Sequence, residues 1–332
     1  MMRPKVLVTR AIFPDVIDLL RPYFDVEVNE GPRYTAEQFK TALKGVEGVL
    51  LAGGEKVDAE LLNGQTSLRA ICVTAAGYNN VNVPDCTKAG VIVTNSPGPA
   101  DETVADFAWG LMLATARRIA EGDRYIREGN WTASVNSRFF GTNLCDKTLG
   151  IIGMGRIGQA IARRAIGFRM KTLYYNRRRL DPALEADSKA SYATKEDLLK
   201  NADFVMLALP LTPDNYHTIG APEIALMHPG SMLFNIARGG LIDEAALATA
   251  LQTGAIAAAG LDVFEGEPSM HTDLPRLSNV VLTPHIAGAT YDTQHGLAEM
   301  AAVNLIAALG FGPQAGLPPS ILNPEVLDRT NR

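Results

Sequence analysis

Residues 148–165 read TLGIIGMGRIGQAIARRA. A short apolar run suited to a buried strand closes on Gly153, Gly155 and Gly158, a G-x-G-x-x-G, and the residues that follow have helical apolar spacing. In such a strand–turn–helix the three glycines serve distinct ends, which are a tight turn, close approach of backbone to a pyrophosphate, and close packing of helix on strand. The helix N-terminus, with unpaired N–H groups and a positive dipole end, faces the anion. A glycine-rich turn without a ligand needs neither the strand before it nor the helix after it.

About twenty residues on, folds selective for NAD place an Asp or Glu that holds the ribose hydroxyls. Here Tyr175 is followed by Asn176, Arg177, Arg178 and Arg179. The carboxylate is missing and guanidinium groups stand where a 2′-phosphate would sit, which Arg binds bidentately. NADP(H) is therefore expected over NAD(H), the alternative being a solvated basic turn.

Working outward, TLGIIG, KTLYYN, DFVMLALP, SMLFNIA, IAAAGLDV and NVVLTP read as six strands separated by helix-like stretches. Upstream, KVLVT, VEGVLLA, LRAICVT and VIVTN do the same from residue 1 to about residue 100. Each rhythm predicts a doubly wound parallel α/β sheet. SPGPADE, residues 96–102, punctuates the two and leads into a long helix with Asp101 and Glu102 in its first turn. A turn-rich segment spans Gly129 to Asn143, and TYDTQHGLAEMAAVNLIAALG near the end is a further helix. Periodicity alone arranges all this as two arrays in series.

The chain has 332 residues, beyond the roughly 250–300 at which one core stops growing, so two domains are expected. It is 47% hydrophobic and 20% charged, which suits a globular protein. A net charge of −5 without a long basic run argues against nucleic-acid or anionic-membrane partners. No apolar stretch reaches transmembrane length. Cys72, Cys86 and Cys145 are odd in number and lack metal-like spacing, as expected of a cytoplasmic protein with neither disulfides nor a metal.

Three segments leave strands of the second array with residues unsuited to a plain turn. SMLFNIARGGLIDE carries Arg238, IAAAGLDVFEGEP carries Asp262 and Glu267, and NVVLTPHIAGA carries His285. The carboxyl ends of parallel strands line the ligand crevice, so these side chains converge beside a cofactor. Their types suit reduction of a 2-oxo acid: His to protonate the carbonyl oxygen, Arg to clamp the carboxylate, and Glu to orient the imidazole and stabilise its charge. Asp262, at the end of its strand, suits either a loop cap or a group that faces the nicotinamide amide. Singly, Arg238 suits a surface salt bridge, Glu267 a loop carboxylate and His285 a packed histidine; jointly they suit catalysis. His217, His228, His271 and His295 read as structural or solvated.

Together LGIIGMGRIG, NIARGGLIDEAAL, LDVFEGEP and TPHIAGAT resemble, in order, the signature segments of the D-isomer-specific 2-hydroxyacid dehydrogenase family, over almost the whole chain. The resemblance implies that Arg238 binds and polarises the substrate, His285 is the acid/base and Glu267 tunes it. It implies a flavodoxin-like substrate-binding domain, residues 1–100 and 287–332, around an inserted Rossmann dinucleotide-binding domain, residues 101–286. TAAGYNNVNV resembles the family's substrate loop and implicates Ala76 and Gly77, and AGGEKVD implicates Gly54; Ala75-Ala76 replaces a frequent Ser-Val. The candidate cofactor contacts are Gly153, Gly155, Arg156, Ile157, Gly158, Asn176, Arg177, Arg178, Pro210, Ile236, Ala237, Asp262 and Gly288. The Asn-Arg-Arg turn looks like the NADPH-preferring glyoxylate/hydroxypyruvate and 2-ketogluconate reductases. Such a reductase moves hydride from NADPH to a small 2-oxo acid and gives the D-2-hydroxy acid. The competing expectations are an NAD-linked phosphoglycerate or lactate dehydrogenase, a formate or phosphite dehydrogenase, and a dinucleotide-sensing corepressor. The family also implies a homodimer through the cofactor domain, with residues from Asp101 to about Asn130 contributing.

Overall fold

The run of valine and leucine after Lys5 forms β1 (Lys5–Val8), the first of five parallel strands with β2 (Asp25–Val28), β3 (Gly48–Leu51), β4 (Ala70–Val73) and β5 (Ile92–Thr94), in the order β2-β1-β3-β4-β5. In this computed structural model, which describes residues 3–134 and 137–330, these strands belong to one of two units, Met1–Ala100 with Ala289–Arg332; the other is Asp101–Gly288. The strand order is that of flavodoxin. Successive side chains of β1 and β3 point to opposite faces. Val6, Val8 and Leu50 pack with Val16, Leu20, Ala301 and Leu305, while Leu7, Val49 and Leu51 pack with Phe39, Leu43 and Leu61.

The helix Tyr291–Ala308, with Thr290 as its N-cap, covers one face of this first sheet. A Cβ on Gly48 would come 2.7 Å from Leu305 Cδ1, so glycine there lets the helix close on the strand. The chain is thus not two arrays in series, because its last helix completes the core of its first sheet.

The second unit carries β6 (Thr148–Ile152), β7 (Lys171–Tyr175), β8 (Ala190–Tyr192), β9 (Phe204–Leu207), β10 (Met232–Asn235), β11 (Ala258–Leu261) and β12 (Val280–Leu282), in the order β12-β11-β10-β9-β6-β7-β8. All pairs are parallel. The order reverses between β6 and β9, where a doubly wound sheet opens its ligand crevice. The long helix is Asp101–Ala116. Its Trp109 donates Nε1–H to the Ile161 carbonyl at 3.1 Å and stacks on Phe168 at 4.4 Å. Residues 135 and 136 of the turn-rich segment lie outside the described residues.

The sequence pattern shows neither β2 nor β8, and both are sheet edges. An edge strand has one neighbour and need not be apolar throughout. No residue of DVEV in β2 is fully buried, and in β8 only Ala190 is, so neither makes the apolar run that betrays a central strand.

Candidate active site

The glycine turn follows β6 at the switch point. Gly153 has φ of 101°, and a Cβ there would lie 2.5 Å from the Ala208 carbonyl oxygen. On Gly158 a Cβ would lie 2.3 Å from the Gly153 carbonyl, so that glycine seats the helix Arg156–Ala165 on the turn. Gly155 differs: its φ is −76° and nothing lies within 4 Å of where its Cβ would be. The protein's own packing does not require glycine there. The space in front of Gly155, at a helix N-terminus that no side chain caps, fits a pyrophosphate held by backbone N–H groups.

At the end of β7, Asn176 turns its Oδ1 back to accept the Met154 N–H at 2.7 Å, bracing the glycine turn. Arg179 is committed to Glu185 through two contacts of 2.8 and 2.9 Å. Arg179, together with the Tyr174 hydroxyl, holds the Glu185 carboxyl down at about 2. Arg177 and Arg178 are exposed and make no ion pair among the described residues. Two of the three guanidinium groups of this turn are therefore available to an anion. Of the other candidates, Arg156 pairs with Asp101 at 3.1 Å, Ile157 is half-buried on the first helical turn, and Pro210 is exposed beyond β9.

Arg238 leaves β10 through a turn organised by Asn235, whose Oδ1 accepts the Ala237 N–H at 3.0 Å and whose Nδ2 donates to the Arg238 carbonyl at 2.8 Å. Ile236 and Ala237 are buried. Burial lowers the pKa of the Arg238 guanidinium, and the negative charge of Glu267 opposes that shift. Glu267 places Oε2 2.7 Å from His285 Nδ1, and its Oε1 accepts the Phe264 N–H at 2.9 Å. His285 is half-exposed and adopts φ of 55°, a left-handed conformation that a side chain disfavours.

Asp262 accounts for that conformation. The residue is fully buried; Oδ1 accepts the Thr283 hydroxyl at 2.7 Å and the Ile286 N–H at 2.9 Å, and Oδ2 accepts the Ala287 N–H at 2.9 Å. Its carbonyl also accepts the His285 N–H at 2.8 Å. Of the two readings the sequence allows for this carboxylate, loop cap and nicotinamide contact, its hydrogen bonds are those of a cap that closes the His285 turn. Gly288, half-buried, follows that turn.

In the first unit, Gly54 has φ of 75° and its carbonyl accepts from the Arg33 guanidinium. Ala76 and Gly77 are half-buried, and the Ala76 carbonyl accepts Asn95 Nδ2–H at 2.7 Å. These loops leave the carboxyl ends of β3 and β4, and Asn80 Nδ2 links them by donating to the Glu55 carbonyl at 2.8 Å. Sequence reasoning missed Asn235, Thr283 and the partner of His217: its Nε2 lies 3.0 Å from Oε2 of Glu265, two residues before Glu267. Only the strand-end position of Asn235 carried a local signal.

Residues 109–287 match the D-isomer specific 2-hydroxyacid dehydrogenase NAD binding domain. Over 334 residues the chain is 45% identical to a glyoxylate reductase of Thermococcus gammatolerans, with 98% of each covered. The chain belongs to the D-isomer-specific 2-hydroxyacid dehydrogenases. As a member of that family it is an NAD(P)-dependent oxidoreductase that acts on a small 2-oxo acid and uses a nicotinamide dinucleotide. Among solved structures, a glyoxylate reductase from Paecilomyes thermophila superposes with a TM-score of 0.88 at 31% identity, covering 98% of this chain and 100% of that one. An NADPH-dependent glyoxylate/hydroxypyruvate reductase from Sinorhizobium meliloti, in complex with NADP and malonate, gives 0.85 at 32% identity, covering 97% and 98%. Among the described residues of this 2-hydroxyacid dehydrogenase, no helix is long and apolar enough to cross a membrane.

Proposed function

We propose that the protein is an NADPH-dependent reductase of glyoxylate, hydroxypyruvate or a related 2-oxo acid such as 2-ketogluconate, forming the D-2-hydroxy acid. The observation that carries this reading is the 2.7 Å contact of Glu267 with His285 Nδ1, with Arg238 close enough to feel the Glu267 charge. Arg238 binds the substrate carboxylate and polarises the adjacent carbonyl. Glu267 holds Nδ1, so the imidazolium donates from Nε2 to the carbonyl oxygen, and the carboxylate stabilises the ring's charge until that proton leaves. Gly54, Ala76 and Gly77 complete the proposed substrate contacts.

The reduced nicotinamide, when bound, supplies the hydride. The backbone at Gly155, on the turn that Gly153 and Gly158 shape, would hold the pyrophosphate, with Arg156 and Ile157 on the same helical turn, and Arg177 and Arg178 the 2′-phosphate. Asn176, Pro210, Ile236, Ala237 and Gly288 are the remaining proposed contacts, while Asp262, fully buried and committed to the His285 turn, acts on the site only by shaping that turn. Preference for NADPH rests on the absence of a carboxylate at Asn176 and on the two uncommitted arginines beside it. The NADPH dependence of the Sinorhizobium meliloti relative supports it.

The working form proposed is a homodimer through the cofactor domain. Ile119 and Ile126 on the helix Ile119–Arg127, with Trp131 and Phe140 beyond it, expose large apolar side chains within one segment of that domain. An apolar surface of this kind is what a second copy would cover. Cys72, Cys86 and Cys145 are all unpaired, as suits a reducing, cytoplasmic setting.

The test is consumption of NADPH and NADH with glyoxylate, hydroxypyruvate, pyruvate, phenylpyruvate and 2-ketogluconate. Rapid turnover of NADPH with one of the first two or the last bears the proposal out. Faster turnover of NADH overturns the cofactor, and dinucleotide binding without turnover of any acid overturns the reaction.

A further inference from the structure

Glu267 lies on an irregular loop between β11 and β12. A carboxylate that orients a proton donor must hold its place, since a displacement of about 1 Å costs roughly 10²-fold in rate. Two carboxylates with no part in the chemistry above fasten this loop. Glu244, the first residue of the helix Glu244–Thr253, is buried; Oε1 accepts the Glu265 N–H at 2.6 Å and Oε2 the His271 N–H at 2.7 Å. The two N–H groups flank Glu267 in the chain. A buried carboxylate with both oxygens on backbone donors fixes those donors firmly, because releasing either leaves charge without a partner.

The outer fastening is Glu265. Its Oε1 accepts the Tyr216 hydroxyl and its Oε2 meets His217 Nε2 at 3.0 Å; the Tyr216 bond, with help from His217, holds this carboxyl below the usual range. The Tyr216 and His217 rings stack at 3.9 Å. His217 adopts φ of 50° and donates its N–H to the Gly240 carbonyl at 2.8 Å, in the turn that begins with Arg238. In that turn a Cβ on Gly239 would fall 1.8 Å from the Phe264 carbonyl carbon. The Arg238 turn and the Glu267 loop therefore touch backbone to backbone, and the Tyr216–His217 pair spans both.

We propose that Glu244 and Glu265 are positioning residues: they lock the 264–271 loop against the Arg238 turn, so that Glu267 meets His285 in a single geometry. This rests on the reading of Glu267 as the partner of His285. Glu244→Gln keeps side-chain volume but turns an NH₂ group toward one backbone N–H, releasing one of the two ties. Glu265→Gln and Tyr216→Phe loosen the outer tie at the surface and so test the proposal even where Glu244→Gln does not fold.

The experiment measures kcat, KM for glyoxylate and Kd for NADPH in these variants, each with and without Glu267→Gln. The expected result is a fall in kcat of about 10²-fold for Glu244→Gln, and a smaller fall for the outer variants, with Kd for NADPH retained. In the Glu267→Gln background the same changes should alter kcat by no more than about twofold, since residues that act through one group are not additive. Folded variants with wild-type kcat, or losses that multiply undiminished with that of Glu267→Gln, overturn the proposal. A wild-type rate for Glu267→Gln alone removes the role of Glu267 and this proposal with it, whereas a slow Glu267→Gln beside fast anchor variants overturns only the anchors.

Discussion

Nδ1 of His285 lies 2.7 Å from Oε2 of Glu267, and the other oxygen of that carboxylate accepts the Phe264 N–H at 2.9 Å. The carboxylate is thereby fixed to its own loop, and the imidazole to it, which leaves Nε2 as the nitrogen for the proposed proton transfer. His285→Gln should lower kcat for glyoxylate by about 10²- to 10⁴-fold, the usual worth of a positioned proton donor. Titration with NADPH should show binding close to wild type. An undiminished kcat would remove His285 from the reaction.

The three glycines of the dinucleotide turn are required for different reasons, and alanine should separate them. Gly155 faces open space at a conventional φ, so Gly155→Ala should leave the thermal midpoint unchanged while raising Kd for NADPH. Gly158→Ala forces a methyl to 2.3 Å from the Gly153 carbonyl, and overpacking of this kind costs about 1–3 kcal/mol. Calorimetry and dinucleotide titration of both variants check this. A stability loss for Gly155→Ala with Kd intact would assign that glycine to the fold.

Arg177 and Arg178 stand exposed beside Asn176, while Arg179 is committed to Glu185. Replacing Arg177 and Arg178 together by serine should raise KM for NADPH by roughly 10- to 100-fold, the scale of one or two charge-assisted hydrogen bonds. KM for NADH, which has no 2′-phosphate, should stay within about twofold. Equal effects on the two cofactors would make this turn a solvated basic surface.

What was legible in the sequence follows from how locally each feature is encoded. Central strands such as β3 and β4 are buried on both faces and read as apolar runs, whereas β2 and β8, paired on one side only, do not. Arg238 and His285 were visible because a parallel sheet delivers its strand ends to one crevice, so their place in the chain gives their place in the fold. Glu244 carries no local signal of its role, since its loop partners are 21 and 27 residues away. His217 reads as structural or solvated without a partner to decide between them, because Glu265, 48 residues on, meets it only in the folded chain. Periodicity gave the helix Tyr291–Ala308 an apolar face without naming the sheet that face covers.

His295 on that last helix points Nε2 at Oδ2 of Asp15, 2.6 Å away on the helix Pro14–Leu20, and its ring packs against Phe13 at 5.0 Å. The bond to Asp15 raises the His295 pKa above its ordinary 6.5, and the same bond lowers Asp15 below 3.8. A group whose folded pKa is raised contributes fully below its unfolded value and loses that contribution as pH climbs through the folded one; a lowered carboxyl contributes above its unfolded value. The pair is therefore complete between 3.8 and 6.5 and fades on the alkaline side. The urea midpoint of His295→Gln should fall below that of the wild type by more at about pH 5.5 than at about pH 9, the Phe13 contact accounting for whatever gap persists. A gap of constant size across that range would mean that packing alone ties the two helices together.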